Sequence, residues 1–95
     1  MHVISCRKLR DAADQNSELS AALEIWYRIA KKAEWQSIVD VRNQFPSADA
    51  VGKHTVFNIK GNHYRLIVEI YYRSQVVLVR HVLTHAEYDR GDWKK

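Results

Sequence analysis

Two arginines, two histidines and a tyrosine (Arg65, Arg80, His81, His85 and Tyr88) lie in the stretch NIKGNHYRLIVEIYYRSQVVLVRHVLTHAEYDR, residues 58–90. Such side chains can assist a displacement at phosphorus. Histidine exchanges a proton near neutrality, arginine grips phosphate through its forked donors, and tyrosine donates a proton or stacks on a base. Metal-free RNA cleavage needs that set: a base for the 2′-hydroxyl proton, cations for the extra charge on a phosphorane-like transition state, and an acid for the departing 5′-oxygen. Other chemistries fit less well. His81 and His85 are four apart, which makes a metal pair only on a helix; residues 76–83 read as a strand and no third ligand is near, so no metal site is expected. Cys6 is far in sequence from the histidines and gives a Cys/His nucleophilic pair no support. Gly61 reads as a turn glycine, not as part of a phosphate-cradling loop.

The elements that must position these residues follow from periodicity. His2-Val3-Ile4 can make a short strand, and Ser5 offers an N-cap for a helix running to about Asn16. A second helix starts near Ser17, where Leu19, Leu23, Trp26 and Ala30 recur at helical spacing. A short helical segment from Ser37 to about Asn43 is stopped by the only proline, in Phe45-Pro46-Ser47-Ala48-Asp49. The period then changes to that of strands. Residues 55–60, 64–73 and 76–83 are rich in β-branched and aromatic residues, joined by Gly61-Asn62 and Ser74-Gln75, and predict an antiparallel meander. The expected fold is α+β: one domain over residues 1–95, with N-terminal helices packed on one face of a small curled, mainly antiparallel sheet.

Alternation along a strand sorts the sheet residues. Phe57, Ile59, Tyr64, Leu66, Val68, Ile70, Val77 and Val79 form the apolar set that the helices cover. His54, Val56, Asn58, Lys60, Arg65, Ile67, Glu69, Tyr71, Leu78 and Arg80 belong to the opposite face, and His81 is expected on the core side. Helices can cover only one face of so small a sheet. The second face, with Lys53 beside it, is therefore a candidate anion site, with residues 84–89 folded over its edge. The plain alternatives are a solvated sheet face for the arginines, edge solubilisers in His54 and Lys60, and in Tyr88 a staple for the last turn.

Composition sets the bounds. Hydrophobic residues make up 46% and charged residues 27% of 95, the balance of a folded globular chain. One cysteine excludes an internal disulfide and fits a reducing compartment. No apolar run reaches a membrane span, and residues 1–7 are too short for the apolar core of a signal peptide, so a cytoplasmic location is expected. Net charge is +4 and pI about 9.4. Residues 1–50 carry seven basic against seven acidic residues and residues 51–95 carry eight against four, so the excess lies with the strands, the footprint of a polyanion binder.

Trp26-Tyr27, Ala33-Glu34-Trp35, residues 45–49, residues 56–62, Tyr64-Arg65-Leu66-Ile67-Val68 and Thr84-His85-Ala86-Glu87-Tyr88-Asp89 together resemble the HigB family of bacterial toxins, within the RelE-like superfamily, over essentially the whole chain. The resemblance implies a small α/β toxin that cleaves mRNA, typically on the translating ribosome. It also implies neutralisation by a HigA-type helix-turn-helix antitoxin, contact with operator DNA only through that complex, and no metal or organic cofactor. By the same resemblance Arg65 is the strand arginine that holds the scissile phosphate, and His85 and Tyr88 are candidates for acid/base work and base stacking. Arg80 joins them as a catalytic candidate, and His54, Asn58, Lys60 and Lys53 as RNA-binding candidates, by face more than by motif. The sequence departs from the RelE pattern at Val56 and Asn58, where lysines are often found, and at His85, where an arginine is often proposed. A non-catalytic RNA- or ribosome-binding module is the alternative function, and a structural partner in transcriptional repression a third.

Overall fold

The computed structural model describes residues 1–61 and 63–94; Asn62, half of the expected Gly61-Asn62 turn, and Lys95 lie outside them. The order is β1 (His2–Ile4), α1 (Arg7–Gln15), α2 (Ser17–Lys32), α3 (Ile38–Gln44), β2 (Asp49–Val51), β3 (His54–Ile59), β4 (Tyr64–Tyr71), β5 (Val76–Thr84), α4 (His85–Arg90) and a 3₁₀ turn at Asp92–Lys94. The sheet runs β1-β5-β4-β3-β2, with β1 parallel to β5 and the remaining pairs antiparallel. This is the expected α+β architecture of a RelE-like protein.

The helices start and stop for local reasons. Asn16 caps α2, its side chain accepting from the N–H groups of Glu18 and Leu19 at 2.9 and 3.1 Å. Lys31 and Lys32 in the last turn complement the helix dipole. Ser5 does not cap α1: its φ of 60° is left-handed, and the N-cap position falls to Cys6, which makes no side-chain cap bond. α3 ends at Phe45, the residue before Pro46.

Leu19, Leu23, Trp26 and Ala30 of α2 bury against Phe57, Ile59, Leu66, Val68, Val77 and Val79, the strand residues that alternation assigned to the core. Trp26 and Phe45 meet Phe57 edge-on at 5.5 and 5.1 Å, and Trp35 stacks on it at 6.2 Å. β2 was not expected, and the expected fold-over of residues 84–89 takes the form of a helix. β2 is a three-residue edge strand that pairs with β3 through a two-residue turn, in which Gly52 takes φ 60°. α4 folds over the far face and carries a capping box: Glu87 N–H donates to Thr84 Oγ1 at 3.2 Å and Thr84 N–H to Glu87 Oε1 at 2.9 Å.

One irregularity changes the sorting of β5. Val68 pairs with Val79 but Ile67 pairs with His81, so Arg80 is the extra residue of a bulge. Alternation reverses there. Val82 then lies opposite Leu66 on the core side, and His81 and Leu83 lie opposite Ile67 and Arg65 on the other. His81 therefore belongs to the second face, not to the core as uniform alternation required.

Candidate active site on the open sheet face

A second, smaller apolar cluster of Val56, Ile67 and Trp93, with Val51, Leu83 and Tyr88 against it, forms the floor of the second face. Trp93 arrives from the 3₁₀ turn after Gly91, whose φ of 76° ends α4 in a left-handed cap. Its indole N–H donates to the Tyr88 carbonyl at 3.0 Å and its ring stacks on Tyr88 at 5.2 Å and 15°. Its other neighbour is the edge-on His54 ring at 5.3 Å.

Around that floor the candidates separate into two groups. In the first, Arg65 is 8% exposed, its Nη1 donates to the Tyr64 carbonyl at 3.2 Å, and its guanidinium lies 5.5 Å from the centre of the Tyr88 ring. Asn58 faces Arg65 across the β3–β4 ladder and is exposed. His85 opens α4 one turn before Tyr88, half exposed, with Nδ1 at 2.9 Å from Asp89 Oδ2. A carboxylate on Nδ1 orients the imidazole and favours the tautomer whose other nitrogen, Nε2, can take up a proton from a partner.

The second group surrounds Glu69, which is buried among polar partners. Its Oε2 lies 3.3 Å from Arg80 Nε, and its Oε1 accepts from the Tyr71 hydroxyl at 3.2 Å, a bond that raises the Tyr71 pKa. Burial pushes the His54 pKa below the ordinary imidazole value; Glu69 works against that, and Lys53 and Arg80 add to it. His81 is depressed too, by burial first and then by Lys8, Arg80 and His54. Lys53 is exposed on the β2–β3 turn beside this group.

Lys60 belongs to neither. It falls in the turn after β3 with φ 53° and forms an ion pair with Glu18 at the start of α2, so it reaches toward the helix layer and not, as alternation required, across the second face. Three contributors escaped the sequence analysis. Trp93 and Asp89 had been given no role at the site, and Glu69 stood only among the residues of the second face. Of these only Asp89 had a local signal, the i,i+4 spacing from His85 on a helix. Among the described residues no group of three or more metal-ligating side chains comes together.

Fold and face together define a small α+β protein whose helices leave one sheet surface basic and aromatic, closed along one side by a C-terminal helix. The family described as HigB_toxin, RelE-like toxic component of a toxin-antitoxin system, matches residues 19–91. The chain is 33% identical over 92 residues to the mRNA interferase toxin HigB of Escherichia coli (strain K12), a span covering 94% of this chain and 88% of that relative. The mRNA interferase HigB of Shigella flexneri matches to the same extent, and that of Escherichia coli O6:H1 is 30% identical over 93 residues, 95% of this chain and 90% of the relative. The chain belongs to the HigB toxin family.

Proposed function

We propose that this chain, as a single domain over residues 1–95, is the mRNA-cleaving toxin of its toxin-antitoxin pair, an endoribonuclease acting by attack of a 2′-hydroxyl on the adjacent phosphate. Family membership and the names of the relatives support the activity. The observation that supports the chemistry is the contact of the Arg65 guanidinium with Tyr88 of α4, the helix that His85 opens one turn earlier, on the face that the other helices leave open. Arg65 holds the scissile phosphate and offsets the charge that grows on it. His85, oriented by Asp89, exchanges the proton, and Tyr88 stacks on a base or supplies the second proton. Arg80 adds positive charge, and Asn58, His54 and Lys53 guide the strand. Lys60 serves RNA only by leaving Glu18.

The same reading makes the translating ribosome the site of action and the cytoplasm the compartment; no helix among the described residues is long and apolar enough to cross a membrane. Its antitoxin is of the HigA helix-turn-helix type, and operator DNA is contacted only through that partner. RNA 5′ ends mapped on a message, naked and on translating ribosomes, test this. New ends on translated message that disappear with His85→Ala and Arg65→Ala, both still folded, are expected; undiminished cleavage by both variants refutes the assignment. A non-catalytic RNA-binding module is the second reading, favoured by the cover that Tyr88 lays over Arg65. It requires salt-sensitive binding without new ends.

A further inference from the structure

Trp93 divides the open face. Tyr88, over Arg65, stacks on its ring, and beside it, next to His54, is a cavity of about 200 Å³ lined by Lys53, His54, Arg80, His81, Asp92, Trp93 and Lys94. We propose that this cavity is a second phosphate subsite, which holds an RNA phosphate flanking the one at Arg65; the proposal rests on the mRNA-cleavage reading above.

The lining carries three permanent cations against Asp92, a formal charge of +2 with both imidazoles neutral. Two of the three are held in place. Glu69 Oε2 lies 3.3 Å from Arg80 Nε, which anchors the guanidinium at the cavity while the Arg80 side chain stays about half exposed. Lys94 lies 5.5 Å over the Trp93 ring, which fixes its stem beside the cavity. The imidazoles add a proton-linked reserve. Both are partly buried among cations, which disfavours their charged forms, and an anion in the cavity reverses that cost by supplying the missing counter-charge.

Position matters as much as charge. From the Arg65 guanidinium to Tyr88, from Tyr88 to Trp93 and from Trp93 to His54 the steps are 5.5, 5.2 and 5.3 Å, a continuous row across the face with cations at both ends. A polyanionic strand crossing that row meets one cationic group at each end. The bulge at Arg80 makes the second group possible, because it turns two consecutive residues, Arg80 and His81, toward the same cavity.

The test has two arms on the full chain. Inorganic phosphate is titrated while the imidazole NMR signals of His54, His81 and the exposed β1 residue His2 are followed; saturable changes at His54 and His81 but not His2 are expected. No saturable change, or an equal one at His2, overturns the subsite. In the second arm an oligoribonucleotide 2′-O-methylated throughout, which lacks the attacking hydroxyl, carries one uncharged methylphosphonate at successive positions. One position flanking the scissile phosphate should weaken binding roughly tenfold, the scale of a charge-assisted contact. The loss should vanish at that position alone in the His81→Gln/Lys94→Gln variant. Additive losses at every position, or none at any flanking position, refute the RNA-phosphate assignment. Absence of cleavage by the unmodified protein would instead remove the activity reading, and the phosphate response of His54 and His81 would still decide the cavity.

Discussion

Replacement of Trp93 by alanine should loosen the site without unfolding the protein. Trp93 is 6% exposed, covers Val56 and Ile67, stacks on Tyr88 and donates to the Tyr88 carbonyl. Truncation of a buried tryptophan costs about 3–5 kcal/mol when the surroundings cannot adjust. Here they can: among the described residues beyond Gly91 only Trp93 is buried, so the segment undocks and leaves less of an enclosed cavity, which puts the expected loss at ~2–3 kcal/mol. A chain of this length holds ~5–14 kcal/mol and stays folded, with a Tm lowered by at least ~8 °C. The urea midpoint reads the stability, and hydrogen exchange across residues 85–90 reads the release of α4. Trp93→Phe keeps a ring for the stacking but loses the indole hydrogen bond and part of the buried ring, for a smaller loss of about 1–2 kcal/mol. A Trp93→Ala variant within ~0.5 kcal/mol of the parent, with unchanged protection in α4, would refute the claim that this side chain seats Tyr88 over Arg65.

Three further outcomes follow from the same contacts. Thr84→Ala removes the cap of α4 and should cost ~1 kcal/mol, read as faster exchange at residues 85–88, with growth arrest weakened because His85 opens that helix. His54 and His81 have depressed pKa values in the folded protein, so their contribution to stability is present above the ordinary imidazole value near 6.5 and is lost as pH falls below it toward the folded values. Urea midpoints on either side of that window should therefore drop on the acid side, and less so in His54→Gln/His81→Gln. Glu69→Gln removes the charge that partly supports protonated His54, so NMR titration should place His54 lower still, while a rise would contradict the cited geometry.

Much of this molecule is legible along the chain. The stripe Leu19, Leu23, Trp26 and Ala30 has one helical phase, and Phe57, Ile59, Leu66 and Val68 one strand parity; burial of apolar surface leaves a sheet with those residues inside few other arrangements. The same parity put Arg65 and Asn58 on the far face, where they are adjacent. A capping box was written in Thr84-x-x-Glu87, although the residues alone suggested only a fold-over.

What only the tertiary structure decided involves breaks in local regularity and contacts between distant segments. The bulge at Arg80 depends on how β5 matches β4, and it moved His81 from the core side to the second face. Lys60 was drawn to Glu18, a partner that only the packing of α2 against the sheet brings within reach. β2, with two exposed residues and one partly covered, had no apolar alternation to announce it, because an edge strand is held by the ladder of its neighbour more than by its own side chains. Trp93 looked like one more aromatic residue in a charged tail. Its place between Tyr88 and His54 required three separate segments to meet on one face, and periodicity, which compares a residue only with its neighbours in the chain, carries no record of such a meeting.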